Sequence, residues 1–108
     1  MHNIKANFDK ITEVVKDIIG IEINTKGNFL RRGTVPRFSD ISIISLSLTA
    51  ECLGIDSENY LFSKLVTEYG NEFENMISRR QYNDRRKLLF EKTEMVRKLM
   101  VERLNKQA

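Results

Sequence analysis

The chain has 108 residues, 41% of them hydrophobic, with 18 Lys and Arg against 15 Asp and Glu for a net charge of +3, which suits one small domain with a buried core rather than a disordered chain. A single cysteine, Cys52, excludes an intramolecular disulfide framework or a Cys-based zinc site, and a single histidine, His2, excludes a His-dependent triad or His metal cluster built from this chain alone. No stretch reaches the roughly 18 unbroken apolar residues of a membrane span and no basic-then-apolar leader is seen, so the expectation is a cytoplasmic protein with no membrane contact.

Ile4, Phe8, Ile11, Val14, Val15, Ile18 and Ile19 recur every three or four residues, predicting an amphipathic helix over residues 1–20 with Gly20 as its stop. Residues 21–38 hold Gly27, Gly33 and the only proline, Pro36, and read as a basic loop or a short ragged hairpin. Residues 39–77 form a helical middle. Its first part, Ser39 to Leu53, alternates Ser and Thr with Ile and Leu almost as a strand would, but three features favour a helix. Ser39 and Asp40 offer an N-cap, fifteen residues is long for a strand, and Ile41, Ile44, Leu48 and Cys52 share one helical face while Ile43, Leu46, Ala50 and Leu53 share the next. Such a helix is the most buried of the fold, with Cys52 as inert core.

After Gly54 and Ile55, Asp56 or Ser57 caps a helix through Tyr60, Leu61 and Leu65 that ends at Gly70, and a helical turn through Phe73, Met76 and Ile77 follows. The Ser39–Gly70 segment thus has the spacing of a helix-turn-helix pair. Ser78 and Gln81 make a capping box, and from there to Asn105 the sequence contains neither Gly nor Pro, so one long basic helix is expected over 78–105. The expected fold is all-α: a small bundle of four main helices in a single domain, with a helix-turn-helix-like pair and a long C-terminal helix.

The small net charge conceals its distribution. Residues 25–38 carry four cations and no acid, residues 39–77 one cation and seven acids, and residues 78–108 ten cations and four acids. Two basic sections flank an acidic middle. The sharper is the start of the last helix, where Arg79, Arg80, Gln81, Asn83, Arg85, Arg86 and Lys87 supply the side chains that pair with guanine and adenine edges in a major groove or with phosphate. Arg79, Arg80 and Gln81 are the candidates for base edges or phosphate, Arg85 and Arg86 for phosphate. Arg31, Arg32 and Arg37 in the loop suit an arm along the DNA backbone. A charged face that only solvates the helix, or a plain solvated loop, is the other reading of the same residues. Leu89, Val96 and Met100 form an apolar stripe on the last helix, with Leu88, Met95, Leu99 and Val101 beside it. It reads as core packed on the first helix, or as a homodimer interface. Nothing pairs a nucleophile with a base, so neither an enzyme nor a cofactor is expected.

Three segments in order, Gly33-Thr34-Val35-Pro36-Arg37-Phe38-Ser39-Asp40, Glu51-Cys52-Leu53-Gly54-Ile55-Asp56-Ser57-Glu58 and Ser78-Arg79-Arg80-Gln81-Tyr82-Asn83-Asp84-Arg85-Arg86, resemble the N-terminal region of bacterial insertion-sequence transposases of the DDE type. The resemblance spans about residues 30–90, and Ser42 departs from the acidic residue of the family pattern. It implies a helical region that binds double-stranded DNA at the ends of a mobile element. The family's metal-binding Asp, Asp and Glu belong to a downstream RNase H-like domain, so the resemblance implies either the non-catalytic front part of a longer protein or a stand-alone descendant.

Overall fold

A computed structural model describes residues 3–29, 37–70, 72, 73 and 75–107. Five α-helices follow one another in the described residues: α1 (Ile4–Ile19), α2 (Asp40–Cys52), α3 (Glu58–Tyr69), α4 (Arg79–Leu88) and α5 (Phe90–Gln107), with a 3₁₀ turn at Gly20–Glu22 after α1. Among the described residues there is no strand, only one isolated antiparallel bridge between Ile23 and Phe29. The all-α bundle is as the periodicity predicts, with one more helix.

The bundle is organised around α2. Ile41, Ile43, Ile44, Leu46 and Leu48 are all at most 3% exposed, so this helix is buried all round. That explains why its sequence looked strand-like: a helix packed on every side has no polar face to give a 3.6-residue period. Its two predicted faces serve two halves of the core. Ile43, Leu46 and Ala50 join Ile4, Phe8, Leu61, Phe62, Leu65, Phe73 and Tyr82, whereas Ile41, Ile44 and Leu48 join Ile11, Val15, Ile19 and Val96. Helices α1, α4 and α5 pack on α2, and α3 leans chiefly on α4.

Local chemistry sets the ends of α2. Ser39 is the N-cap, its Oγ accepting the Ser42 N–H at 3.1 Å. At the other end Ile55 N–H reaches the Ala50 carbonyl at 2.8 Å and Gly54 N–H the Glu51 carbonyl at 3.1 Å. This is a Schellman closure, and it needs a residue at positive φ, which Gly54 supplies at +70°. Cys52 lies at this exposed end, so it is a surface thiol and not the core residue its apolar neighbours suggest. Ser57 rather than Asp56 caps α3, accepting from Tyr60 N–H at 3.1 Å.

In the described part of 21–38, Ile23 and Phe29 bridge around a turn at Gly27, within the loop or short ragged hairpin expected there. Two expectations require correction. Residues 72, 73 and 75–78 form turns and irregular backbone instead of a helical turn, with Asn75 at φ +58°. And the long last helix is two helices, interrupted at Leu89 (φ −97°, ψ 9°). No Gly or Pro marks the break. Leu89 packs against both halves of the core. Thr93, also buried, donates its hydroxyl to the Leu89 carbonyl at 3.0 Å, a back-bond that bends helices. The bend lets Tyr82 on α4 enter one half of the core while Val96 on α5 enters the other.

Candidate nucleic-acid interface

Helix α4 begins as its sequence predicts: Ser78 Oγ accepts the Gln81 N–H at 3.2 Å and Gln81 Oε1 accepts the Ser78 N–H at 3.1 Å, completing the capping box. Gln81 is therefore engaged at the helix start. Tyr82 anchors the inner face, 2% exposed, its ring 5.2 Å from that of Phe62. Burial pushes its phenol above the usual value near 10, opposed by a hydrogen bond to Ser47 and by Arg86. Below about pH 10 folded and unfolded chains both hold this proton; above it the unfolded chain releases its proton first, so stability falls as pH rises. In urea melts the unfolding midpoint is expected to drop as pH rises above about 10, and Tyr82→Phe to lessen the drop. An undiminished drop in that variant would assign the effect elsewhere.

The cations of α4 divide into three groups. Arg85 points inward, its side chain 17% exposed, and its guanidinium donates to the Phe38 carbonyl and, at 2.8 Å, to Oδ1 of the fully buried Asp40. Asp40 in turn accepts the Phe29 N–H at 3.0 Å, and Asn28 Oδ1 accepts the Asp40 N–H at 2.9 Å. Arg85 is thus a tie between α4, the start of α2 and the preceding loop, which corrects its expected role as a phosphate contact: a guanidinium committed to a buried carboxylate is not free to meet DNA.

Arg79 and Arg86 flank Glu58 on the first turn of α3. Arg86 Nε donates to Glu58 Oε2 at 3.1 Å and its Nη2 to Asn83 Oδ1 at 3.0 Å, while Arg79 Nη1 lies 4.0 Å from Glu58 Oε1. Arg80 and Lys87 are exposed and make no ion pair among the described residues. At about 100° per residue, Arg79, Arg80, Asn83, Arg86 and Lys87 fall within an arc of about 120° on the outer side of α4, opposite Arg85. Asp84, also exposed, borders that arc. Arg37 is exposed in the bend that precedes α2, whereas Arg31 and Arg32 lie outside the described residues.

The basic C-terminal section is largely matched by acids, most of them from elsewhere in the chain. Lys92 pairs with Glu22 at 2.7 Å, Arg97 with Glu51 at 2.9 Å and with Glu94, and Arg103 with Asp17 at 2.6 Å. The three segments that carry the transposase resemblance also meet one another: Asp40 of the first holds Arg85 of the third, and Glu58 of the second faces Arg79 and Arg86. Much of that motif set is accounted for by folding contacts.

No family model matches the sequence, and neither a curated protein nor a solved structure matches it. No group of three or more His, Cys, Asp or Glu side chains among the described residues is placed to hold a metal ion, and no described helix is long and apolar enough to cross a membrane.

Proposed function

We propose that this chain is a non-catalytic, cytoplasmic DNA-binding domain of the kind that precedes the catalytic domain of an insertion-sequence transposase, recognising the double-stranded ends of a mobile element through α4. The observation that carries the reading is the outward arc of Arg79, Arg80, Asn83, Arg86 and Lys87 on a helix rigidly held by Tyr82 and Arg85. Arg80 and Lys87, exposed and free of ion pairs among the described residues, are the leading contacts; Arg37 joins them as a backbone contact.

A titration of double-stranded DNA carrying terminal inverted repeats, repeated across salt concentrations, tests this. Affinity is expected to fall steeply with ionic strength. Arg80→Ala combined with Lys87→Ala is expected to weaken binding about tenfold at low salt and to lower the slope of log affinity against log salt by about two. A wild-type protein that leaves the duplex free at about 50 mM salt overturns the reading.

A second reading, pairing of two copies through the last helix without DNA, is favoured by a separate observation. Phe90, Val101 and Leu104 are 55%, 51% and 64% exposed and fall within about 60° of one another on α5. A concentration-dependent dimer in sedimentation, indifferent to added DNA, would support it.

A further inference from the structure

We infer that the groove between α3 and α4 is the seat of a single DNA backbone phosphate, and that Glu58 occupies that seat in the free protein. The inference rests on the DNA-binding reading above and adds a site and a regulatory contact to it. The groove, about 530 Å³ in volume, is bordered by the end of α2, the connection through Asp56 and Ser57, the first turn of α3, the flank of α4 and Arg97 of α5, and the acids Glu51 and Asp56 line it beside Glu58. Glu58 lies in it between Arg79 and Arg86, one carboxylate oxygen toward each guanidinium. Two anionic oxygens directed at two guanidiniums is also what a phosphodiester presents.

The contact is built to exchange. Arg86, Arg79 and Glu58 side chains keep 35%, 50% and 26% of their surface, so water and ions reach the pairs and their net attraction is weak. The Arg79 contact, at 4.0 Å, is an ion pair without a hydrogen bond. Arg86 spends two of its N–H groups on Glu58 and Asn83, leaving three of a guanidinium's five for another acceptor. The Asn83 bond holds the Arg86 fork toward the outer face of α4. Contrast Arg85, whose side chain is half as exposed as that of Arg86 and whose partner Asp40 is fully buried: the same helix carries one ion pair anchored in the core and one that is open to competition. When α4 meets DNA, a phosphate takes the place of the Glu58 carboxylate, which swings to solvent.

The test compares the full chain with Glu58→Gln and, as a charge-matched control, Asp84→Asn, on one duplex across salt. Asp84 is an exposed acid of α4 without an ion pair among the described residues, so its neutralisation changes net charge equally without releasing Arg79 or Arg86. Circular dichroism melts confirm that each variant is folded. The expected result is about fivefold tighter binding by Glu58→Gln, with a salt slope steeper by one to two, and a smaller gain without slope change for Asp84→Asn. If Glu58→Gln binds while the parent stays silent at low salt, no phosphate displaces Glu58 in the parent, and the DNA reading of the parent falls together with the phosphate seat. Equal gains in the two variants, or weaker binding by Glu58→Gln, overturn it while leaving DNA binding intact. If none of the three proteins binds, the DNA reading and the phosphate seat both fall.

Discussion

Arg85→Ala is expected to lower folding stability by about 3–5 kcal/mol, the cost of removing one partner from a buried ion pair. That is a large share of the roughly 5–15 kcal/mol that holds a typical domain together. The cause is what remains behind. Asp40 is fully buried, and removing the guanidinium takes from its carboxylate a charged donor at 2.8 Å while the Phe29 N–H stays. The Phe38 carbonyl loses its donor as well. Arg85→Lys is expected to recover only part of the loss, since one ammonium lacks the planar fork that serves carbonyl and carboxylate together. Urea unfolding monitored by circular dichroism measures both. A loss below about 0.5 kcal/mol, the range of ordinary surface substitutions, would remove the structural role given to Arg85 and return it to the outer face. Arg80→Ala is expected to stay within that range, so the two arginines, five positions apart on one helix, separate folding from binding.

That contrast shows where sequence reasoning carried and where it stopped. Features that depend on residues near one another were legible: the α1 stripe, the two faces of α2, the Ser78 and Gln81 capping box, and the helix stop at Gly54. Helix periodicity and capping are local physics, acting over three or four residues. The candidate site was legible as a list of cations but not as a surface. Arg85 meets Asp40 across 45 positions and Arg86 meets Glu58 across 28, and no spacing rule reports such pairs. The signal for such pairs lies in the charge pattern: acids and bases in near-equal number, segregated into an acidic middle and a basic end, suit internal pairing as well as they suit an external polyanion. The break at Leu89 was illegible for a related reason. It follows from which half of the core each neighbouring segment must enter, and the one local hint, Thr93, resembles Thr12, Thr49 and Thr67, which make the same back-bond inside unbroken helices.

The apolar stripe of α5 divides sharply, and a pair of substitutions reads the division. Val96→Asp is expected to cost on the order of 4 kcal/mol or more, because Val96 is fully buried between Ile11, Val15, Ile19 and α2 and an unpaired carboxylate there has no partner and no water. A loss of that size approaches the whole stability of a small domain, so the variant is expected to be largely unfolded at ambient temperature. Val101→Asp, five residues on and half exposed, is expected to change the stability of the monomer by less than about 0.5 kcal/mol. The two residues sit on different sides of α5: Val96 faces α1 and α2, and Val101 lies on the flank it shares with Phe90 and Leu104. Val101→Asp therefore also tests the second reading without disturbing the core. If two copies pair through that flank, the substitution places a charge in each half of the joint, and the thermal midpoint of the wild type rises with protein concentration while that of the variant does not. If both melt at the same concentration-independent temperature, the exposed flank is ordinary surface, and the outer arc of α4 is left as the face on which a partner is to be sought.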